Sequence, residues 1–332
     1  MLLKMVPNKD QIFQIKNESD FTNLALKIFR YQASKNNVYK QFLSILNINP
    51  ATIKTIEDIP FLPIQFFKNH RVTTVPPPYD LTFKSSGTTG MQRSIHYVKN
   101  KELYQQSFIR SFEYFFGNIK DYTILALLPS YMEQGESSLV YMTKQLMKIS
   151  AKEDNGFYLY NMDELADKLN TLEAKKQKTL LIGVSYALLD FVEKYKFKLQ
   201  NTLVMETGGM KGRKKEILRE ELHLRLKQGF GVENIYSEYG MTELLSQSYS
   251  KGNGIFETPP WKKILIRDTE DPFTYLPNNK TGGINVIDLA NIYSCSFIAT
   301  QDLGQKIDKN QFKIMGRFDN SDIRGCNLLV VT

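Results

Sequence analysis

The chain has 332 residues, 42% hydrophobic and 12% aromatic, enough to bury a sizeable core in one large domain or two closely packed ones. Its formal charge is +8, yet the basic residues lie in short groups such as "KKQK" and "KGRKK" without a nucleic-acid-binding motif, so they read as a solvated surface. Two cysteines are too few for a disulfide framework, three scattered histidines offer no zinc-ligand spacing, and no apolar run nears the roughly 18 residues of a membrane span. The expectation is a cytoplasmic protein with no membrane span and no nucleic-acid partner.

In chain order, helical spacing runs from Asp20 to Leu46, with Ser19 and Asp20 available to cap its start. Pro60 and Pro63 break the pattern. Next comes "FKSSGTTGMQRSIHY", in which Ser85, Ser86, Gly87, Thr88, Thr89 and Gly90 supply converging N–H groups and small hydroxyls, as a phosphate-binding turn needs. It is not a Walker A loop, because no Gly-Lys-Ser/Thr ends it and strand-like alternation follows. By itself the stretch could equally be a hairpin turn.

Buried strands are expected at Tyr122 to Leu128, Thr179 to Val184, Thr202 to Glu206 and Asn234 to Tyr239, with helical segments between them. That alternation predicts an α/β fold with mostly parallel sheet and flanking helices. Several strands run into small or polar residues ("LLPS", "ETGG", "EYGMTE"), where ligands of open α/β sheets bind. After Lys251, turn-rich sequence with short alternating runs predicts an antiparallel β subdomain. Cys295, expected to share a strand face with Tyr293 and Phe297, reads as a core thiol.

"SSGTTG" followed by Arg93, then "SEYGMTE" (Ser237 to Glu243), "TQDLG" (Thr300 to Gly304) and "GRFDNSDIRG" (Gly316 to Gly325) resemble, in order, the motifs of the adenylate-forming superfamily. The resemblance implies ATP and Mg²⁺: the loop would hold phosphates, Tyr239 and Gly240 would pack by the adenine, and Thr242 would contact the α-phosphate. Glu243 would bind the ion. Asp302 would accept from the ribose hydroxyls although Gln301 stands where the family has glycine, Arg317 would contact nucleotide, and Gly208 and Gly209 of "METGGM" would line the adenine pocket.

Ordinary members continue for about a hundred residues beyond the hinge and supply a lysine from there. This chain ends at Thr332, so the small mobile C-terminal domain is expected to be absent, with Lys211 or Arg213 as stand-ins for that lysine. "FLPIQFFK", "LALLPSYMEQGESSLVYM", "TGGMKGRK" and "IRGCNLL" narrow the resemblance to the LuxE-type acyl-protein synthetases. There, a cysteine near the C-terminus takes the acyl group, and Cys326 stands in the matching position, two residues after Arg324, whose charge would favour a thiolate if the two are close.

The implied activity is adenylation of a carboxylic acid, fatty or aryl, then transfer to Cys326 and on to an acceptor such as an acyl-CoA-reductase-like subunit or an acyl carrier protein. The division expected is residues 1–75 as a helical segment on the core, 76–250 as the adenylation core and 251–332 as a β-rich part with the acceptor arm. Two alternatives stay open: ligation to coenzyme A or a carrier protein, and a catalytically inactive nucleotide- or acyl-binding protein. His96 could orient the acid or contact phosphate, or be a satisfied structural histidine. "SYMEQGESS" could line the acyl pocket or form a surface loop.

Overall fold

The computed structural model describes residues 6–86, 92–128, 136–158, 161–208 and 217–318. Spacing predicts one helix near the N-terminus; the structure has two, α1 (Glu18–Lys35) and α2 (Asn37–Ile45). Asn36 makes the break: its backbone is extended, and its side chain accepts from Val38 N and Tyr39 N to cap α2. The cap of α1 is Asn17, which accepts from Asp20 N, rather than Ser19 or Asp20. Both helices dock on Phe297, with Phe29 edge-on at 6.0 Å and Tyr39 stacked at 6.4 Å.

Short β1 (Leu62–Pro63) and α3 (Phe66–Asn69) follow, then a hairpin of β2 (Leu81–Lys84) and β3 (Ile95–Val98). Next come α4 (Lys101–Phe116), β4 (Thr123–Leu127), α5 (Ser138–Ser150), β5 (Gly156–Tyr158), α6 (Met162–Ala174), β6 (Thr179–Val184), α7 (Ser185–Lys194), β7 (Thr202–Thr207), α8 (Arg219–Phe230) and β8 (Tyr236–Tyr239). Strands β5, β4, β6, β7 and β8 pair in parallel in that order. β4 and β6 are buried at every position, which is why they read as unbroken apolar runs.

The later strands are β9 (Ser248–Ser250), β10 (Ile255–Glu257), β11 (Lys262–Arg267), β12 (Thr281–Asp288), β13 (Phe297–Lys306) and β14 (Gln311–Arg317). With one another and with β8 these strands pair antiparallel, as the turn-rich sequence after Lys251 predicts, but they continue the parallel sheet instead of forming a separate one. The order is β11-β12-β13-β14-β10-β9-β8-β7-β6-β4-β5, with β1 added in parallel to β13.

"TQDLG" lies within ten-residue β13, with a register shift at Leu303/Gly304. One local expectation is corrected. Tyr293 and Cys295 precede β13 and share no strand face with Phe297, although Cys295 is fully buried and its thiol is pushed up to about 12 by that burial. No helix among the described residues is long and apolar enough to cross a membrane.

Candidate active site

The parallel strands deliver their C-terminal ends to one rim, and β8 ends there in Tyr239. The Tyr239 hydroxyl donates to Asp302 Oδ2 at 2.7 Å, and Arg317 Nε donates to Asp302 Oδ1 at 2.9 Å. Asp302 and Arg317 are register partners on β13 and β14, so the sheet itself sets their approach. Three residues expected at the nucleotide thus form one hydrogen-bonded line. Beneath it lies Lys262, almost wholly buried, its Nζ 5.3 Å from the Tyr239 ring centroid and donating to Ser246 O at 2.9 Å. Burial lowers the Lys262 ammonium to about 8, offset in part by the nearby charges of Asp288 and Glu238.

Thr242 and Glu243 follow directly. His96, on β3, bonds Thr242 O through Nδ1 at 2.8 Å and Ser294 Oγ through Nε2 at 2.9 Å. A carbonyl only accepts, so Nδ1 carries the proton and Nε2 accepts from the serine hydroxyl. Burial lowers this imidazole to about 4, which keeps it neutral. Both ring nitrogens are thereby engaged, and His96 reaches the site by holding the Thr242 carbonyl.

Glu243 is buried, and its carboxylate accepts from Ser94. Burial pushes it above the usual carboxylate range, and the Ser94 hydrogen bond recovers only part of the shift. Ser94 closes the stem of the Ser/Thr/Gly loop: Ser94 N donates to Ser85 Oγ at 2.9 Å, and Ser85 N donates to Ser94 O at 3.0 Å. Loop stem and Glu243 are therefore joined through a single serine. A lone buried carboxylate with spare lone pairs suits a magnesium ion that keeps its other ligands from phosphate and water. Among the described residues, no group of three or more His, Cys, Asp or Glu could hold a metal by itself.

Backbone behind Glu243 is clamped from β12. Asp288, fully buried, accepts from Leu245 N, Ser246 N, Ser246 Oγ and Ala290 N, and Asn291 Nδ2 donates to Glu243 O at 2.7 Å. From α1, Gln32 bonds Asn291 O, Ile292 O and Ser296, so the N-terminal helix braces the same clamp. Ser94, Lys262, Asp288 and Asn291 were not singled out by motif. The available signal was a charged residue inside an apolar strand run, as in "INVIDLA" and "WKKILI".

At the end of β7, Gly208 has φ +69°, a left-handed conformation that favours glycine, and its carbonyl accepts from Ser185 Oγ at 2.8 Å. Ser85, Ser86, Gly208, Tyr239, Gly240, Thr242, Glu243, Asp302, Arg317 and His96 are all described. Gly87, Thr88, Thr89, Gly90, Gly209 and Cys326 lie outside the described residues, as do Lys211, Arg213 and residues 129–135. An added Cβ at Gly240 would stand 2.3 Å from Glu238 Oε1, so Glu238, whose other oxygen is held by Thr207, would have to shift. Gly240→Ala is expected to cost about 1–3 kcal/mol in urea denaturation, and an unchanged midpoint would show that Glu238 moves freely aside.

Solved structures with this fold are adenylate-forming ligases. The chain superposes on 2-hydroxyisobutyryl-CoA ligase, in complex with 2-HIB-AMP and CoA in the thioesterification state, with TM-score 0.67 at 13% identity, covering 95% of this chain and 73% of that one. It also superposes on ATP-bound MatB from Rhodopseudomonas palustris with TM-score 0.54 at 19% identity, covering 74% of this chain and 50% of that one. The chain spans about half the length of the MatB structures it matches. Residues 11–332 match the family model "Acyl-protein synthetase, LuxE", and the chain belongs to that family. No curated protein matches it in sequence.

Proposed function

We propose that the protein uses Mg·ATP to adenylate a carboxylic acid, fatty or aryl, and passes the acyl group to Cys326 for delivery to an acceptor protein such as an acyl-CoA-reductase-like subunit or an acyl carrier protein. One observation carries this reading: Tyr239, Asp302 and Arg317 line up beside a Thr242–Glu243 turn that His96 and Ser94 tie to the stem of the Ser/Thr/Gly loop. The family of the chain and the ATP bound to its MatB neighbour support it.

In the first step a carboxylate oxygen of the acid attacks the α-phosphorus. The bond to the β-phosphate oxygen breaks, and pyrophosphate leaves. Magnesium, arriving with ATP, would neutralise phosphate charge beside Glu243. Tyr239, Asp302 and Arg317 would position adenine and ribose, and the neutral, fully bonded His96 would keep Thr242 aimed at the α-phosphate. In the second step the Cys326 thiolate attacks the acyl carbonyl and AMP leaves, so one hard substitution becomes two easier ones. The reading extends to a cytoplasmic enzyme whose residues 76–250 form the adenylation core and whose residues 251–332 carry the acceptor arm.

Intact mass after incubation with ATP and an acid panel tests it. A hydroxylamine-labile acyl adduct is expected on the wild type and not on Cys326→Ser; an adduct that persists in the variant refutes transfer to Cys326. The likeness to a CoA-bound ligase favours a second reading, with coenzyme A or a carrier protein as acceptor. Thioester turnover to a free thiol that survives Cys326→Ala would select it.

A further inference from the structure

Side chains alternate along β8, so Glu238 faces away from the Tyr239–Asp302 line. It shares its face with its register partner Tyr249, whose ring packs on Phe112, Phe115 and Phe116 of α4. Glu238 Oε2 accepts from Thr207 Oγ1 at 2.6 Å, and among the described residues Thr207 is its one hydrogen-bond donor. Glu238 Oε1 lies against Gly240, 2.3 Å from the point where a Cβ would stand, and Gln247 Nε2 is 3.5 Å from that same point. Gln247 is 4% exposed, and its Oε1 has no hydrogen-bond partner.

Gln247 Oε1 is thus a buried acceptor without a donor, and the Glu238 carboxylate has a single one. An unmet buried acceptor destabilises the fold, and a ligand's donor would relieve it. The surroundings are aromatic: Tyr104 and Tyr249 both feel the Glu238 charge, and Tyr104 packs at 5.4 Å on Phe83, which leads into Ser85.

We infer that Glu238 and Gln247 form a subsite for a hydrogen-bond donor, hydroxyl or amino, that the carboxylic acid substrate carries close to its own carboxylate. The inference rests on the adenylation reading above and narrows its substrate class. Gly240 is two residues from Thr242, at most about 7 Å along the chain, so the donor belongs in the first few atoms of the acid and not at the tip of a long tail. Burial pushes the Glu238 carboxyl up to about 7, so an approaching ammonium would readily hold it ionised and a hydroxyl would find an acceptor.

The test uses matched acids, octanoate with 3-hydroxyoctanoate and benzoate with 2-aminobenzoate. Binding without ATP is followed by calorimetry and by emission of Trp261, the single tryptophan, whose Nε1 donates to Ser246 Oγ next to Gln247. Acid-dependent pyrophosphate exchange is measured in parallel. Wild type should prefer the donor-bearing acid of at least one pair by about tenfold or more, the worth of one charge-assisted hydrogen bond. Glu238→Leu and Gln247→Leu should bring the pair to near equality. Glu238→Gln, of the same shape and still an acceptor, should keep part of the preference and covers the case in which the leucine variants fail to fold. Equal affinity within every pair, no binding by any acid, or a preference that survives Glu238→Leu overturns the subsite. Discrimination in binding without exchange would leave the subsite standing and remove the adenylation reading; exchange without discrimination would do the reverse.

Discussion

Asp288→Ala is expected to lower the free energy of unfolding by about 3–5 kcal/mol, the cost of leaving several buried donors without their acceptor at about 1–3 kcal/mol each. The carboxylate is fully buried and receives Leu245 N at 3.0 Å, Ser246 N at 2.8 Å, Ser246 Oγ at 2.6 Å and Ala290 N at 3.0 Å. Burial raises its proton affinity, and the Lys262 charge and these donors offset part of that rise. Alanine would strand the donors in a site that water does not reach and leave Lys262 without its main counter-charge. Asp288→Asn keeps one acceptor oxygen and should fall between alanine and wild type. Chemical denaturation at neutral pH reads the difference, and a loss below about 1 kcal/mol for alanine would mean that the clamp reorganises around another acceptor. Because the clamp holds the segment directly after Glu243, any folded Asp288→Ala protein should also lose nucleotide affinity.

Much of the architecture was legible because burial imposes a period on the residues themselves. β6 falls exactly where its unbroken apolar run lies, and the antiparallel character of β11 to β14 follows from turns rich in Gly, Pro and Asn. The α1–α2 break was missed because Asn36 lies inside a region of continuous helical spacing, where a cap and an interior polar residue look alike. The motif residues themselves could be named, but not their partners. Asp302 meets Tyr239 across 63 positions of sequence, and His96 meets Thr242 across 146. Ser94, Lys262, Asp288 and Glu238 matter only through such long-range contacts, and nothing local marks them beyond polarity in apolar company.

Glu243→Gln should separate stability from activity. Burial raises the Glu243 carboxyl above its ordinary range, so the folded protein holds the proton more tightly than the unfolded chain does. The stabilisation tied to that proton is fully present below the unfolded value of about 4.5 and is lost as pH rises through the higher folded value. Above the folded value the ionised carboxylate therefore strains the fold, and the neutral, isosteric glutamine removes the strain. The variant should match or exceed wild type in denaturation at neutral pH, and the difference should shrink as pH falls toward that unfolded value. Acid-dependent pyrophosphate exchange should drop by about 10²–10³, the usual consequence of deleting one group that answers transition-state charge. That pairing of a sturdier fold with a crippled reaction is what a carboxylate retained for a cation would produce. If Glu243→Gln instead lost stability and kept its exchange rate, Glu243 would be a structural partner of Ser94, and the ion would have to be held by another group.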